Sequence, residues 1–500
     1  MFDGLDEVFE PAKRKEIISD IHRFTNDYKN VRVIVTSRVI GYQPQQLRDA
    51  EFYHFMLQDL ESEQVEDFIQ RWHDLTYQNE SEKERKRERL KRAIKDSSAI
   101  KQLSGNPLLL TMMAILNRHQ ELPRDRAELY NQASRILLQQ WDMERALVDA
   151  NLDRRTIDYK DKQEILRRVA DFMQQNKEGL AGNLIDENNL ENIIKDYLKS
   201  VDINDVRPVA RALMEQLRVR NFILCFVGGG YYAFVHRTFL EYFCAWSFVW
   251  QFKETQTLGK DGLINNVFGS HWWDERWHEV LRLISGMIDT KFVGDIISYL
   301  MEQDGEKEKF QNLFLAGKCM SEVRSIQGID DVESRLLKRL KDLTGYGTGF
   351  FYKPFDGPYF PSISGQNITL IREILAQAME TLAIIWRDNF LSYTWFQQRV
   401  MFDESEFVRA EAVKQIASAW KQEPGILDFL KQRVVSDESE FVRGEAVKQI
   451  ATVWKHEPGT LDLLKQRVVS DENDYVRREA VQQIASGWKH ESGVLELLKQ

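Results

Sequence analysis

The sequence predicts a mainly α-helical, multidomain chain with a small α/β portion at its start, a winged-helix segment in the middle and an α-solenoid at its end. Three observations predict it. A motif recurs every 34 residues near the C-terminus, from Trp386 to Trp420, Trp454 and Trp488. Apolar residues fall at helical spacing over most of the chain, and β-prone runs interrupt that pattern only near the start and around residue 225. At 500 residues the chain exceeds one hydrophobic core, so about three or four domains are expected.

Composition narrows the function classes. Hydrophobic residues at 43% and charged residues at 29% exclude a disordered chain. A formal charge of -10 sets most of the surface against nucleic acid and anionic lipid, because phosphates would be repelled. Cys225, Cys244 and Cys319 stand apart in apolar stretches without metal-ligand spacing, and read as buried, reduced thiols. No apolar run approaches about 18 residues, and Asp3, Asp6 and Glu7 already charge the first turn, so neither a membrane span nor a signal peptide is expected. A cytoplasmic location follows.

Residues 1–75 open on Met1-Phe-Asp-Gly-Leu-Asp-Glu-Val8, the end of an apolar strand that delivers three carboxylates to the loop after it. A helix from Lys13 to Asn26 leads into Val31-Arg-Val-Ile-Val-Thr-Ser-Arg38, which reads as a buried parallel strand of a βαβ crossover. Its polar end falls beside the acidic loop, at the carboxyl edge where open α/β sheets bind ligands. Phosphoryl chemistry needs such a set. Asp3 can hold Mg²⁺ through oxygen ligation, Asp6 or Glu7 can orient or deprotonate water, and Arg38 can grip a γ-phosphate in fork geometry.

Residues 76–150 read as a helical domain. The run Glu82-Lys-Glu-Arg-Lys-Arg-Glu-Arg89 alternates in sign and continues into Leu90, Ala93 and Ile94, the pattern of a solvated helix face with i,i+4 ion pairs. In residues 151–253, Phe222 to Val227 and Tyr231 to Val235 are β-prone and joined by Gly228-Gly-Gly230, which predicts a hairpin. Helices from Lys162 to Met173 and from Arg237 to Trp250 flank it, and together they predict a winged helix. Arg154, Arg155, Arg167 and Arg168 raise DNA binding as a reading, but a structural winged helix is preferred given the acidic charge.

Residues 254–345 read as further helices, with Trp272, Trp273 and Trp277 as an aromatic core cluster. The Gly/Pro-dense stretch at 346–365 predicts a linker. In residues 366–500, Asp403-Glu-Ser-Glu-Phe-Val-Arg409 returns at Asp437 and Asp471. Within one copy, Phe441, Val442, Ala446, Val447, Ile450, Ala451 and Trp454 keep helical spacing. Glu457-Pro-Gly459 then breaks the helix, and Leu461, Leu464 and Val468 form a second stripe. Each unit is a helical hairpin, and at least four stack. The period also suits tetratricopeptide repeats, but their Trp-Leu-Gly-Tyr pattern is missing, and Asp-x4-Val-Arg before an Ala-rich helix resembles HEAT-like repeats.

Five motifs in order carry a wider resemblance: Asp3-Gly-Leu-Asp-Glu7, Thr36-Ser-Arg38, Gly105-Asn-Pro-Leu-Leu-Leu110, Leu122-Pro-Arg-Asp-Arg-Ala-Glu-Leu-Tyr130 and Phe234-Val-His-Arg-Thr-Phe-Leu-Glu-Tyr-Phe243. Together they resemble the NACHT family of STAND signalling ATPases, over roughly residues 1 to 320. The resemblance implies that residues 1–75 are the C-terminal part of a P-loop α/β core, with ATP or ADP and Mg²⁺ as cofactors. It assigns Mg²⁺ to Asp3, hydrolysis to Asp6 and Glu7, and γ-phosphate sensing to Arg38. Pro107 would pack on adenine, and His236 would reach the β-phosphate from the winged helix, locking a mobile domain to the diphosphate form.

The chain departs from the family at the phosphate loop, because GxxxxGK[ST] is absent from its 500 residues. Gly259-Lys260 precedes Asp261 and Gly317-Lys318 precedes Cys319, so neither pair supplies the hydroxyl. Without the loop's amides and lysine a triphosphate loses most of its cradle, and the expectation is an N-terminally truncated NACHT protein that is inactive alone. A misplaced start, a split gene or a decayed gene would each leave such a chain. Two functions compete: a NACHT-type signalling or defence switch of bacterial kind, self-oligomerising when full-length, or a non-catalytic scaffold that binds a protein partner or ligand at the HEAT-like repeats.

Overall fold

The computed structural model describes residues 2, 5, 11–36, 52–123, 125–140, 157–175, 183–203, 205–221, 223–345, 368–387, 390–488 and 491. They form a mainly helical protein of two compact units, one of Met1–Val267 with Glu275–Ile288, the other of Phe268–Asp274 with Asp289–Gln500.

In the first unit, Phe2 and Val35 form a parallel bridge. Phe2 N–H donates to Ile34 O at 2.8 Å and Thr36 N–H donates to Phe2 O at 2.9 Å, with α1 (Pro11–Asp27) joining the two partners. The crossover pairing is therefore present, but burial differs from expectation. Val33, Val35 and Phe52 pack on Leu5, Ile18 and Ile21, whereas Ile34 is 61% exposed, since alternate residues of a strand face opposite ways.

The helices α2 (Ser62–Thr76), α3 (Glu80–Asp96), α4 (Ser98–Ser104), α5 (Pro107–His119) and α6 (Arg126–Arg135) follow. The alternating charges lie on α3, but their ion pairs run i,i+3, between Lys83 and Glu80 at 2.7 Å and between Arg87 and Glu84. Nor is the whole face solvated. Lys86 is buried, with Nζ donating to Arg118 O at 2.5 Å, and Arg89 Nε donates to Asn117 Oδ1 at 2.8 Å. Two cations of the run thus dock on the last turn of α5, where carbonyls lack intrahelical partners and the helix dipole is negative.

The winged helix comprises α7 (Tyr159–Gln175), β1 (Ile185–Asp186), α8 (Glu187–Ser200), α9 (Val206–Glu215), β2 (Leu224–Gly228), β3 (Tyr231–Phe234) and α10 (Arg237–Lys253). Its antiparallel sheet is ordered β1-β3-β2. Gly229 and Gly230 have φ of 57° and 79°, the left-handed values a two-residue hairpin turn requires. Arg167 is buried, its Cζ lying 4.1 Å from the Trp250 ring centroid and 4.6 Å from that of Trp246, and it pairs with Glu164. It fastens α7 to α10. Arg168 Nε also donates to Glu164, at 2.8 Å; Arg154 and Arg155 lie outside the described residues. The unit closes with α11 (Glu275–Met287), which buries Trp277 beside Phe248.

The second unit contains α12 (Thr290–Glu302), α13 (Gln311–Met320) and α14 (Asp330–Leu343), then the repeats α15 (Ile368–Ile385), α16 (Phe390–Phe402), α17 (Glu406–Ala419), α18 (Ile426–Ser436), α19 (Glu440–Val453), α20 (Thr460–Ser470) and α21 (Asp474–Gly487). Trp272 is buried, but Trp273 is 51% exposed and so is not part of a core. Gly317 lets α13 approach α15 closely, since a Cβ there would stand 2.4 Å from Thr381. The sequence-predicted linker at 346–365 lies outside the described residues.

The recurring Asp and Arg explain how successive hairpins stay in register. Arg409 Nη1 donates to Asp403 O at 2.8 Å in its own copy and Nη2 donates to Asp437 Oδ1 at 3.2 Å in the next. Arg443 repeats this, with Nη1 donating to Asp437 O at 2.9 Å and Nη2 to Asp471 Oδ1 at 3.0 Å. Both pairs are buried, where a fully hydrogen-bonded ion pair is orientation-specific. One residue departs from the predicted apolar stripe: Phe441 is 40% exposed.

No described helix is long and apolar enough to cross a membrane. Cys244 and Cys319 are buried, whereas Cys225 is partly exposed.

Candidate functional site

Of the six sequence-predicted site residues, Asp3, Asp6, Glu7 and Arg38 lie outside the described residues. Pro107 and His236 are described, on elements 130 residues apart, and the fold brings their surroundings into contact.

Gly105-Asn-Pro107 forms the start of α5. Gly105 packs on the chain before α2, where an added Cβ would meet Asp59 Cβ at 3.1 Å, and its carbonyl accepts from Leu60 N–H at 2.8 Å. Asn106 is the N-cap: its Oδ1 accepts from Leu108 N at 3.0 Å and from Leu109 N at 3.2 Å. Pro107 occupies the first helical turn, where its missing N–H costs nothing, and it is exposed.

His236 is the N-cap of α10, and its Nε2 lies 2.8 Å from Asn106 Nδ2. The direction of that bond follows from the cap. Because Asn106 Oδ1 is committed to two backbone amides, the amide nitrogen must face the imidazole, and Nε2 must accept. The ring proton then sits on Nδ1, which donates to Thr238 Oγ1 at 2.9 Å. The Thr238 N–H, at 3.3 Å from Nδ1, is the weaker contact of the two and cannot also be accepted by a protonated nitrogen. The residue pair couples the helical segment to the winged helix.

Behind this contact lies a charged cluster that sequence reasoning missed. Arg126, at the start of α6, is 5% exposed and pairs with Glu279 of α11. Arg282 Nη1 also donates to Glu279, at 3.3 Å. On α10, Arg237 Nε donates to Glu241 Oε1 at 2.7 Å. Burial raises the Glu241 pKa to about 7, with the Glu279 charge adding to the rise and Arg237 opposing it. Burial also pushes the Tyr130 hydroxyl up to about 12. Arg126 and Tyr130 stand in the Leu122 to Tyr130 motif, and Glu241 in the Phe234 to Phe243 motif. The motifs could have been singled out, but nothing in their spacing announces a partner 153 residues away.

A carboxyl whose folded-state pKa is raised holds its proton more tightly when folded. The Glu241 contribution to stability is therefore whole below about pH 4.5 and is lost as pH rises through about 7. The loss is roughly 3–4 kcal/mol at full ionisation. Glu241→Gln keeps an acceptor for Arg237, so urea unfolding at about pH 5 and pH 8 should show a smaller stability difference in the variant than in the parent. An unchanged difference would contradict the assignment.

Among the described residues, no group of three or more His, Cys, Asp and Glu could hold a metal ion. Comparison with known families gives two matches. Residues 126–248 match the model described as a winged helix-turn-helix domain C-terminal to NACHT, and residues 395–485 match HEAT repeats. No curated protein matches the chain. The chain thus combines a winged helix of the NACHT-associated kind with HEAT repeats.

Proposed function

We propose that this chain is the regulatory arm of a NACHT-type, ATP-dependent signalling switch of the bacterial signalling or defence kind, with HEAT repeats that capture a protein partner. What supports this reading most is the 2.8 Å contact between His236 and Asn106. It ties the residue before an exposed proline to a winged-helix histidine, and on this reading adenine on the proline and a phosphate on the histidine would engage one nucleotide.

The chemistry of the contact supplies a switch. A phosphate oxygen accepts hydrogen bonds, so His236 must present Nε2–H to it, whereas toward Asn106 it presents a lone pair. The two engagements exclude each other. Nucleotide binding would release Asn106 from the winged helix, and loss of the phosphate would restore the clasp. Asp3 is proposed for Mg²⁺, Asp6 and Glu7 for activating water, and Arg38 for the γ-phosphate.

Because the 500 residues carry no GxxxxGK[ST], calorimetry of the chain alone with Mg²⁺ and ATP or ADP is expected to detect no binding. Micromolar affinity would contradict that.

The repeat array favours a second reading, a non-catalytic scaffold. Since α13 packs on α15, the repeats are best shortened beyond the first hairpins. Deleting residues 437–500 is expected to abolish capture of partner proteins from the native host, and unchanged capture would reject a partner-binding array.

A further inference from the structure

The first helices of successive repeats carry an aromatic residue at the same place, and the rings form a row. Phe407 and Phe441 have centroids 6.0 Å apart, and Phe441 and Tyr475 5.5 Å apart. Stacking between repeats accounts for one side of each ring. It does not account for the other, since Phe441 is 40% and Tyr475 36% exposed. Gly444 makes room for the row, because a Cβ there would stand 2.5 Å from the Tyr475 ring.

The first end of the row is already occupied by a cation. Arg372 Cζ lies 3.6 Å from the Phe407 centroid, over its face. In that copy Glu373 holds the aromatic position and pairs with Lys309 at 2.9 Å, so the row stops there. Elsewhere carboxylates flank the rings. One turn along each helix, Glu445 and Glu479 stand close enough to Tyr475 to raise its hydroxyl pKa after burial. Glu438 and Glu472, three residues before the second and third rings, touch Arg409 and Arg443 at 3.2 and 3.5 Å yet keep their side chains 87% and 86% exposed.

We propose that this row is the docking ridge for an extended, arginine-rich segment of a partner protein; the proposal rests on the reading of the repeats as partner-binding. Ring faces attract guanidinium groups, and Arg372 shows the geometry within the chain itself. The flanking carboxylates complement the same charge and repel the phosphates of a nucleic acid. Spacing agrees as well. Every second residue of an extended chain advances about 6.6 Å, close to the ring separation, so alternate arginines of the segment meet successive repeats.

The test uses the full chain and a fluorescent nonapeptide of alternating arginine and glycine, titrated by anisotropy at low salt. Binding is expected, at least tenfold tighter than that of a glutamate-glycine peptide. Phe441→Leu with Tyr475→Leu keeps apolar bulk but removes the ring faces, and is expected to weaken binding at least tenfold with an unchanged melting temperature. If that pair melts early, Glu445→Gln with Glu479→Gln serves instead, with several-fold weaker binding expected and a shallower salt dependence. No binding of the arginine peptide, equal binding of the glutamate peptide, or affinity indifferent to both variant pairs would overturn the ridge. Should the peptide fail while deletion of 437–500 still abolishes partner capture, the ridge is wrong and the partner-binding array stands.

Discussion

Replacing Arg126 with alanine is expected to destabilise the first unit by about 3–5 kcal/mol, toward the lower end because Arg282 still reaches Glu279 at 3.3 Å. The guanidinium is 5% exposed and its partner 21%, so solvent replaces little of what is lost. Two carboxylates, Glu279 and Glu241, would remain in one buried region without it. Arg126 also holds the Glu241 pKa down, so its removal raises that pKa further. By linkage the variant should then lose more stability than the parent as pH rises from about 5 to 8. Urea unfolding at both pH values measures this. A loss below about 1 kcal/mol, equal at the two, would place Arg126 among surface ion pairs.

Arg443→Ala is expected to cost about as much, roughly 3–5 kcal/mol, in the second unit. It would leave Asp471, whose side chain is 2% exposed, without its main cationic partner, and take a donor from Asp437 O in the same copy. The weaker contact from Arg467, at 3.9 Å, does not replace a bidentate one. Because the lost bonds join consecutive copies, the hairpins after residue 453 should become susceptible to proteolysis before the rest. Lys414→Ala provides the contrast, since its exposed pair with Glu411 should be worth under about 1 kcal/mol. Equal melting of the two variants would contradict the ladder.

Local features were legible in the sequence where local chemistry decides them. The period of 34 residues, the turn glycines Gly229 and Gly230 and the break at Gly459 follow from residue types within a few positions of each other. The parallel pairing of Phe2 with Val35 was legible too, through the apolar runs around α1. What failed to be legible was the direction and company of single side chains. Phe441 shares its helical spacing with core residues, yet the next copy's Tyr475 rather than the core receives its ring. Lys86 and Arg89 read as a solvated face, yet they find the carbonyl end of α5 some thirty residues away. The motif asparagine and the motif histidine could each be singled out, but their contact depends on how α5 meets α10.

That contact is also the point at which the functional account is most exposed to test. With ¹⁵N-labelled histidine, the two-bond couplings of the His236 ring, identified by its loss in His236→Gln, report which nitrogen carries the proton near pH 8. The account predicts a neutral ring with its proton on Nδ1 and a bare Nε2, shifting toward the other tautomer in Asn106→Ala. A ring with its proton on Nε2 in the unaltered chain would mean that Asn106 is not its partner, and the proposed clasp between winged helix and helical segment would fall.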